Sequence, residues 1–190
     1  GISQLNEIRR EAVSLLEAAL LEKKGLHVEA YEEASLEETQ KGQKWAVWVT
    51  RLEQLESVLM YPEVEVIYWD WQYDNETAMM AYGLTHQAGK AFYLALPQIM
   101  KDQTYIIYKS ALEQWKNTSL RGFLVRNIGQ YRRLRAFGKQ IVVDYNMNVT
   151  NNETLALWQE QGATRTTVSV ELSPNEVIAL KGNIEKIVYG

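Results

Sequence analysis

Apolar residues along this chain recur at two spacings, and the changes from one to the other mark out its elements. Residues 140–172 show the plan. Ile141, Val142 and Val143 form a short apolar run, Asp144, Asn146, Asn148 and Asn151 follow as a polar cluster, and a helical segment closing at Gly162 leads to a second β-rich run ending at Glu171. That is one β-α-β unit, with its polar residues gathered where a strand gives way to a loop.

The rest of the chain repeats the unit. Leu5, Ile8, Ala12, Leu15, Leu16, Ala19 and Leu20 recur at helical spacing, and Lys23, Lys24 and Gly25 are stop signals, which predicts an amphipathic helix over residues 5–24. Residues 26–42 are rich in glutamate and lack a period, so they read as a connector with a short strand near 27–30. From Trp45 onward, strands are expected at 45–49, 64–70, 91–96, 122–125, 141–143, 166–170 and 186–189. Thr50-Arg51-Leu52-Glu53 reads as a capping box opening a helix whose inner face is Leu52, Leu55, Val58 and Leu59. Further helices are expected at 75–89, from a cap at Asp102 to 116, and from Asn127 to a stop at Gly138. Ser173-Pro174-Asn175-Glu176 combines a capping box with proline at the first helical position.

Strands alternating with helices imply parallel pairing, because each right-handed crossover returns the chain to the same side of the sheet. A closed barrel and an open doubly wound sheet both satisfy that rule. Consecutive units with no break in period, one short of the eight that closure needs, favour the barrel. The expected fold is therefore α/β, a TIM-like (β/α) barrel, incomplete or truncated, over residues 44–190, preceded by the helix and acidic connector of residues 1–43. An incomplete barrel leaves strand edges open to another copy of the chain, so a homo-oligomer is expected.

Composition narrows the picture. The 190 residues are 46% hydrophobic and 23% charged, which suits one globular domain with a substantial core. A net charge of −4 excludes a uniformly basic surface, so any nucleic-acid contact would be a local patch. There is no cysteine, which excludes disulfides, zinc-thiolate sites and iron–sulfur ligation by this chain and fits a reducing cytoplasm. No apolar run approaches the ~20 residues that span a bilayer, so no membrane partner is expected.

In a parallel barrel the chemistry belongs at the carboxyl ends of the strands. The candidates there are Asp70, Arg126, Asn127, Asp144, Asn146, Asn148, Asn151, Glu171 and Ser173. Asn127, Asn151 and Ser173 sit where helices begin and are either caps or ligand contacts. Asp144 and Glu171 end otherwise apolar strands, where an acid needs a partner. They are either a catalytic carboxylate pair or partners of Arg126 in a salt bridge. His27 and His86 stand in no ligand-spaced motif, so no metal site is expected, and there is no nucleophile elbow or phosphate loop. From Arg121 to Lys139 the chain carries Arg126, Arg132, Arg133 and Arg135 with no acidic residue, either an RNA-phosphate patch or a solvated helix face. The tryptophans read as core, with Trp69 or Trp71, beside Asp70, as a pocket wall.

The run Asp144-Tyr145-Asn146-Met147-Asn148-Val149-Thr150-Asn151, followed after one helix by Ser169-Val170-Glu171-Leu172-Ser173, resembles the paired signature of the collagenase-like peptidases, family U32. Leu5-Asn6-Glu7-Ile8-Arg9-Arg10-Glu11 resembles the helix before the carboxy-terminal barrel of long members. Leu96-Pro97-Gln98-Ile99 and Val125-Arg126-Asn127 resemble two strand ends, and Ile187-Val188-Tyr189-Gly190 the strand before the family's cysteine-bearing segment. The resemblance implies a (β/α) barrel of a peptidase acting on peptide or collagen-type substrates, with Asp144 and Glu171 catalytic and Arg126, Asn127, Asn148 and Asn151 binding substrate. Some members are instead linked to hydroxylation of RNA bases or quinone precursors through a cysteine-ligated iron–sulfur cluster. The alternative it implies is a barrel that holds or scaffolds RNA in such a protein. With no cysteine here, the cluster would belong to the full-length parent, and the segment alone is expected to be inactive.

Overall fold

The computed structural model describes residues 2–22, 44–72 and 74–189. The first stretch is a single helix, α1 (Ile2–Glu22), which lies in a compact unit of its own, residues 1–33. Its apolar residues fall at the three- and four-residue spacing that puts them on one stripe. The acidic connector, the strand expected near 27–30 and His27 lie outside the described residues.

Residues 34–190 form the second unit. Its sheet has seven strands, β1 (Trp45–Val49), β2 (Val64–Asp70), β3 (Ala91–Ala95), β4 (Gly122–Val125), β5 (Gln140–Val143), β6 (Arg165–Thr167) and β7 (Ile184–Glu185), hydrogen-bonded in sequence order. Every pairing is parallel. Between the strands run α2 (Leu52–Leu59), α3 (Asn75–Gln87), α4 (Asp102–Trp115), α5 (Ile128–Leu134), α6 (Asn152–Glu160) and α7 (Pro174–Ala179). The Tyr68 hydroxyl on β2 lies 2.7 Å from a Glu185 carboxylate oxygen on β7. Five strand spacings would hold these residues about 24 Å apart in a flat sheet. The sheet is therefore curled around an interior, as an incomplete TIM-like barrel with β1 and β7 at the ends of its ladder.

Strand alternation sorts the side chains onto two faces. Ile67, Trp69, Phe92, Leu94, Phe123, Val125, Ile141 and Val143 point outward and pack with Leu55, Ala81, Leu112, Trp115, Leu134, Leu155 and Trp158 from the helices. Val66, Tyr68, Tyr93, Ala95, Leu124 and Val142 form a second, inward cluster with Ala46 and Trp48 against it. Leu55, Leu112 and Trp115 are completely buried, each such side chain contributing roughly 1.5–3 kcal/mol by leaving water.

Five local expectations need correction. Asp102 is the first residue of α4 and not its cap, a position held by Lys101 with no side-chain cap hydrogen bond. The Thr50 box does not form, because α2 begins one residue later with Arg51 at its cap, and Gln54 instead accepts from both the Thr50 N–H and its hydroxyl, each at 3.0 Å. The helix after Asn127 tightens into a 3-10 turn at Arg135–Phe137 before Gly138 takes a left-handed conformation. Strand β6 is shorter than residues 166–170: the Val168 N–H still reaches the Glu185 carbonyl, but the Ser169 N–H turns to the Val149 carbonyl and leaves the ladder. With β6 ending there, residues 186–189 have no strand beside them, and β7 sits earlier, at Ile184–Glu185.

Candidate active site at the carboxyl-terminal rim

Parallel strands end at one rim, and the register shows which inward residues become neighbours there. Val125 pairs with Val143, Val143 with Thr166, and Thr167 with Glu185. One residue beyond the first two pairs, Arg126, Asp144 and Thr167 therefore continue as a row across β4, β5 and β6 that ends at Glu185 on β7. All four point into the barrel.

Asp144 is the centre of the row. Its Oδ2 accepts from Arg126 Nε at 3.0 Å and its Oδ1 from the Tyr145 N–H at 2.8 Å. The pair is largely out of water, with 6% of the Asp144 side chain exposed and 17% of that of Arg126. Burial pushes the Asp144 carboxyl above its ordinary value, and the Tyr145 N–H and Arg126 offset only part of that push. The guanidinium also lies over the Trp48 ring, 4.2 Å from its centroid, a cation–π contact from β1. The Arg126 backbone is fixed in turn by the buried side chain of Gln130, whose Oε1 accepts from the Arg126 N–H at 2.7 Å and whose Nε2 donates to the Pro97 carbonyl at 2.6 Å. A glutamine on the first turn of a helix reads as surface in sequence. Only its spacing of four from Arg126 hints at this role.

The other candidates are placed variously. Asn127 caps α5 by accepting from the Gln130 N–H at 2.9 Å and donates to the Gln98 carbonyl at 3.2 Å. Asn151 caps α6 through the Thr154 N–H, and Ser173 with Glu176 closes a full capping box on α7. Asn148 is exposed at φ 52°, ending the 3-10 turn Tyr145–Met147, and Asn146 Oδ1 is buried with no hydrogen-bond partner. Asp70, half-buried at the end of β2, accepts from Gln72 Nε2 at 2.7 Å. Glu171 lies in the turn after β6, exposed, its N–H 3.4 Å from Ser169 Oγ. Trp69 and Trp71 are both buried in the outward core, so the rim tryptophan is Trp48.

The rest of the interior is polar in a way the sequence did not announce. Glu185 takes Tyr68 Oη at 2.7 and 2.8 Å and Thr167 Oγ1 at 3.3 Å. Arg165 Nε stands 2.8 Å from Glu185 Oε1, an ion pair by distance whose N–H is not aimed at that oxygen. The Tyr93 hydroxyl donates to Gln140 Oε1 at 2.5 Å, and Arg165 lies over the Tyr93 ring.

The basic stretch divides between the two rims and the end of α5. Arg126 is at the carboxyl-terminal rim, whereas Arg121 precedes β4 and Lys139 precedes β5, at the opposite rim; Arg132 and Arg133 are in the last turn of α5, and Arg135 follows it. Arg133 lies over the Tyr105 ring, and Lys139 Nζ donates to the Thr118 carbonyl at 2.6 Å. A groove of about 550 Å³, lined by Tyr82, His86, Lys90 and Arg121 among others, also opens at that opposite rim. Lys90 is committed there to the carbonyls of Tyr61 and Val64. In this architecture residues at that end serve stability more often than chemistry, so the acid–arginine pair, and not the groove, marks the candidate site.

The sequence profile of peptidase family U32 matches residues 72–190. The chain belongs to peptidase family U32. Its fold is similar to the solved structure of the U32 peptidase Mk0906, with a TM-score of 0.58 and 15% identity, over 85% of this chain and 72% of that one. No curated protein matches. The profile takes in Arg126, Asn127, Asp144, Asn148, Asn151 and Glu171 as well as Glu185. An iron–sulfur cluster does not fit these residues: a cluster needs thiolates and the chain has no cysteine, nor do the described residues hold a group of three or more His, Asp or Glu placed for a metal. No described helix is long and apolar enough to cross a membrane.

Proposed function

We propose that this U32 domain supplies the substrate-holding rim of a cytoplasmic peptidase acting on peptide or collagen-type chains. The observation that supports it is the buried Arg126–Asp144 pair at the carboxyl ends of β4 and β5, stacked beneath Trp48. A carboxylate above its ordinary range, yet held by a fixed cation, is suited to take a proton from an attacking water near neutral pH. The proton that Asp144 takes up would pass to the leaving amine as the C–N bond breaks, with Glu171 on the following loop assisting that transfer. Arg126 keeps Asp144 oriented and supplies positive charge where an amide oxygen becomes negative. Asn127, Asn148 and Asn151 edge the loops over which a peptide would lie. The RNA-holding alternative would use Arg132, Arg133 and Arg135, which come from the end of α5 and not from the strand ends that carry this pair.

The test is cleavage of gelatin and of a collagen-type peptide by the full-length polypeptide that carries this chain. Asp144→Asn and Glu171→Gln should each lower kcat/KM by about 100-fold or more. Full activity in the double variant would remove both acids from the mechanism.

A further inference from the structure

The groove at the rim where the strands begin has no part in the reading above, and its lining differs in kind from the acid–arginine row. It encloses about 550 Å³, within the ~300–1,000 Å³ of pockets that take small molecules. Two cations, Lys90 and Arg121, line it with a single acid, Glu65, which is already paired with Lys44 Nζ at 2.6 Å. A chain whose net charge is −4 thus gathers positive charge around one concave surface, where an anion is favoured.

The fold sets the two cations on either flank of β3. Lys90 directly precedes β3 and turns toward β2, where its Nζ donates to the Tyr61 carbonyl at 2.7 Å and the Val64 carbonyl at 2.5 Å. These neutral acceptors hold the ammonium in place, keep its full charge and leave its third donor for a ligand. Arg121 directly precedes β4 on the other flank, its backbone N–H donating to the Phe92 carbonyl at 3.1 Å. The residue is exposed, and its contact with the Tyr93 hydroxyl leaves other guanidinium N–H groups to bind oxygen. Two strand spacings are about 10 Å, so a chain of two phosphates meets both cations more readily than a single phosphate does.

One wall of the groove is aromatic. Tyr82 and His86 stand one turn apart on α3 with ring centroids 5.9 Å apart. Tyr82 is held by a hydrogen bond with the Ser119 hydroxyl and by the Ser119 N–H, which donates to its oxygen at 3.1 Å, while its ring packs edge-on against Phe92 and Trp115. His86 is exposed, so its ring is open to a flat ring laid against that wall.

We propose that this groove binds a nucleotide, with its base against Tyr82 and His86 and its diphosphate between Lys90 and Arg121. The inference is independent of the peptidase reading, since no group in the groove belongs to the acid–arginine row.

Calorimetric titration of the 190-residue chain with adenosine 5′-diphosphate, at low ionic strength and without divalent metal, tests it, together with amide NMR of the same mixture. Binding should show a dissociation constant of about 1 mM or below, with amide shifts clustered around Gly89 and Ser119. Arg121→Gln and His86→Ala, both at exposed positions, should each weaken it about fivefold or more. Arg132→Gln removes the same charge outside the groove and should leave the affinity unchanged. Pyrophosphate alone should bind more weakly than the nucleotide. The proposal is overturned by the absence of both heat and amide shifts, by an Arg121→Gln effect no larger than that of Arg132→Gln, by unchanged affinity in His86→Ala, or by pyrophosphate binding as tightly as the nucleotide.

Discussion

Gly122 opens β4 directly beside Tyr93 on β3, and a Cβ added at residue 122 would stand 2.9 Å from the Tyr93 ring and 2.1 Å from the Gln140 carbonyl oxygen. The close approach lets Tyr93 cross the start of β4 and donate to Gln140 on β5. Since one of the two clashes is with backbone, no rotamer change relieves it. Gly122→Ala should therefore destabilise the domain by about 3 kcal/mol, at the upper end of overpacking costs. A urea midpoint equal to that of the wild type would show that the strands separate more easily than this contact implies.

The Arg126–Asp144 pair gives a second expectation. Removing the arginine leaves a buried carboxylate whose remaining partner is one backbone N–H, and breaking such a pair costs about 3 kcal/mol or more. Arg126→Ala should lower the urea midpoint strongly at neutral pH, and Arg126→Ala with Asp144→Asn should recover much of the loss, since the uncompensated charge is then gone. Equal destabilisation in single and double variants would mean that packing on Trp48, not charge, accounts for the loss.

Burial holds both Asp144 and Glu185 above the usual carboxylate range in the folded chain. The folded state therefore binds protons that the unfolded state releases once pH passes ~4. The stabilisation from these acids is fully present below that unfolded midpoint and is lost as pH rises through the folded ones. Asp74 and Glu176 act the other way: hydrogen bonds from Thr77 and Ser173 lower them, so their contribution is lost as pH falls. The two effects separate by subtraction. The stability of the wild type relative to Glu185→Gln should decline steadily as pH is raised from about 4 toward neutrality. A difference that stays flat with pH would mean that Glu185 is not raised.

How much of this was legible in the sequence follows from what each signal depends on. The strands and their parallel order came from short apolar runs, such as those of β2 and β5, set between stretches of helical period. The caps at Asn127, Asn151 and Ser173 came from residue type beside a helix start. The polar interior did not, because it joins residues far apart in the chain, Tyr68 with Glu185 and Tyr93 with Gln140. In β2 the run from Val66 to Trp69 is apolar on both faces, so nothing in it distinguishes inward Tyr68 from outward Trp69. Arg165 and Glu185 fell just outside the expected strands, where a charged residue reads as loop. Both are inward only because β6 and β7 begin earlier than their apolar residues suggest.

Glu171 allows the cleanest separation of chemistry from folding. It is exposed in a turn, outside both packed clusters, so Glu171→Gln should change stability by no more than about 0.5 kcal/mol. Asp144→Asn offers no such contrast, because it also alters the ion pair with Arg126. If Glu171 assists proton transfer to the leaving amine, its loss should lower kcat/KM by about 100-fold or more, with the urea midpoint unmoved. Measuring both quantities on one preparation decides the matter. Unchanged kinetics at unchanged stability would assign Glu171 to the solvated surface and leave Asp144 as the acid of the rim.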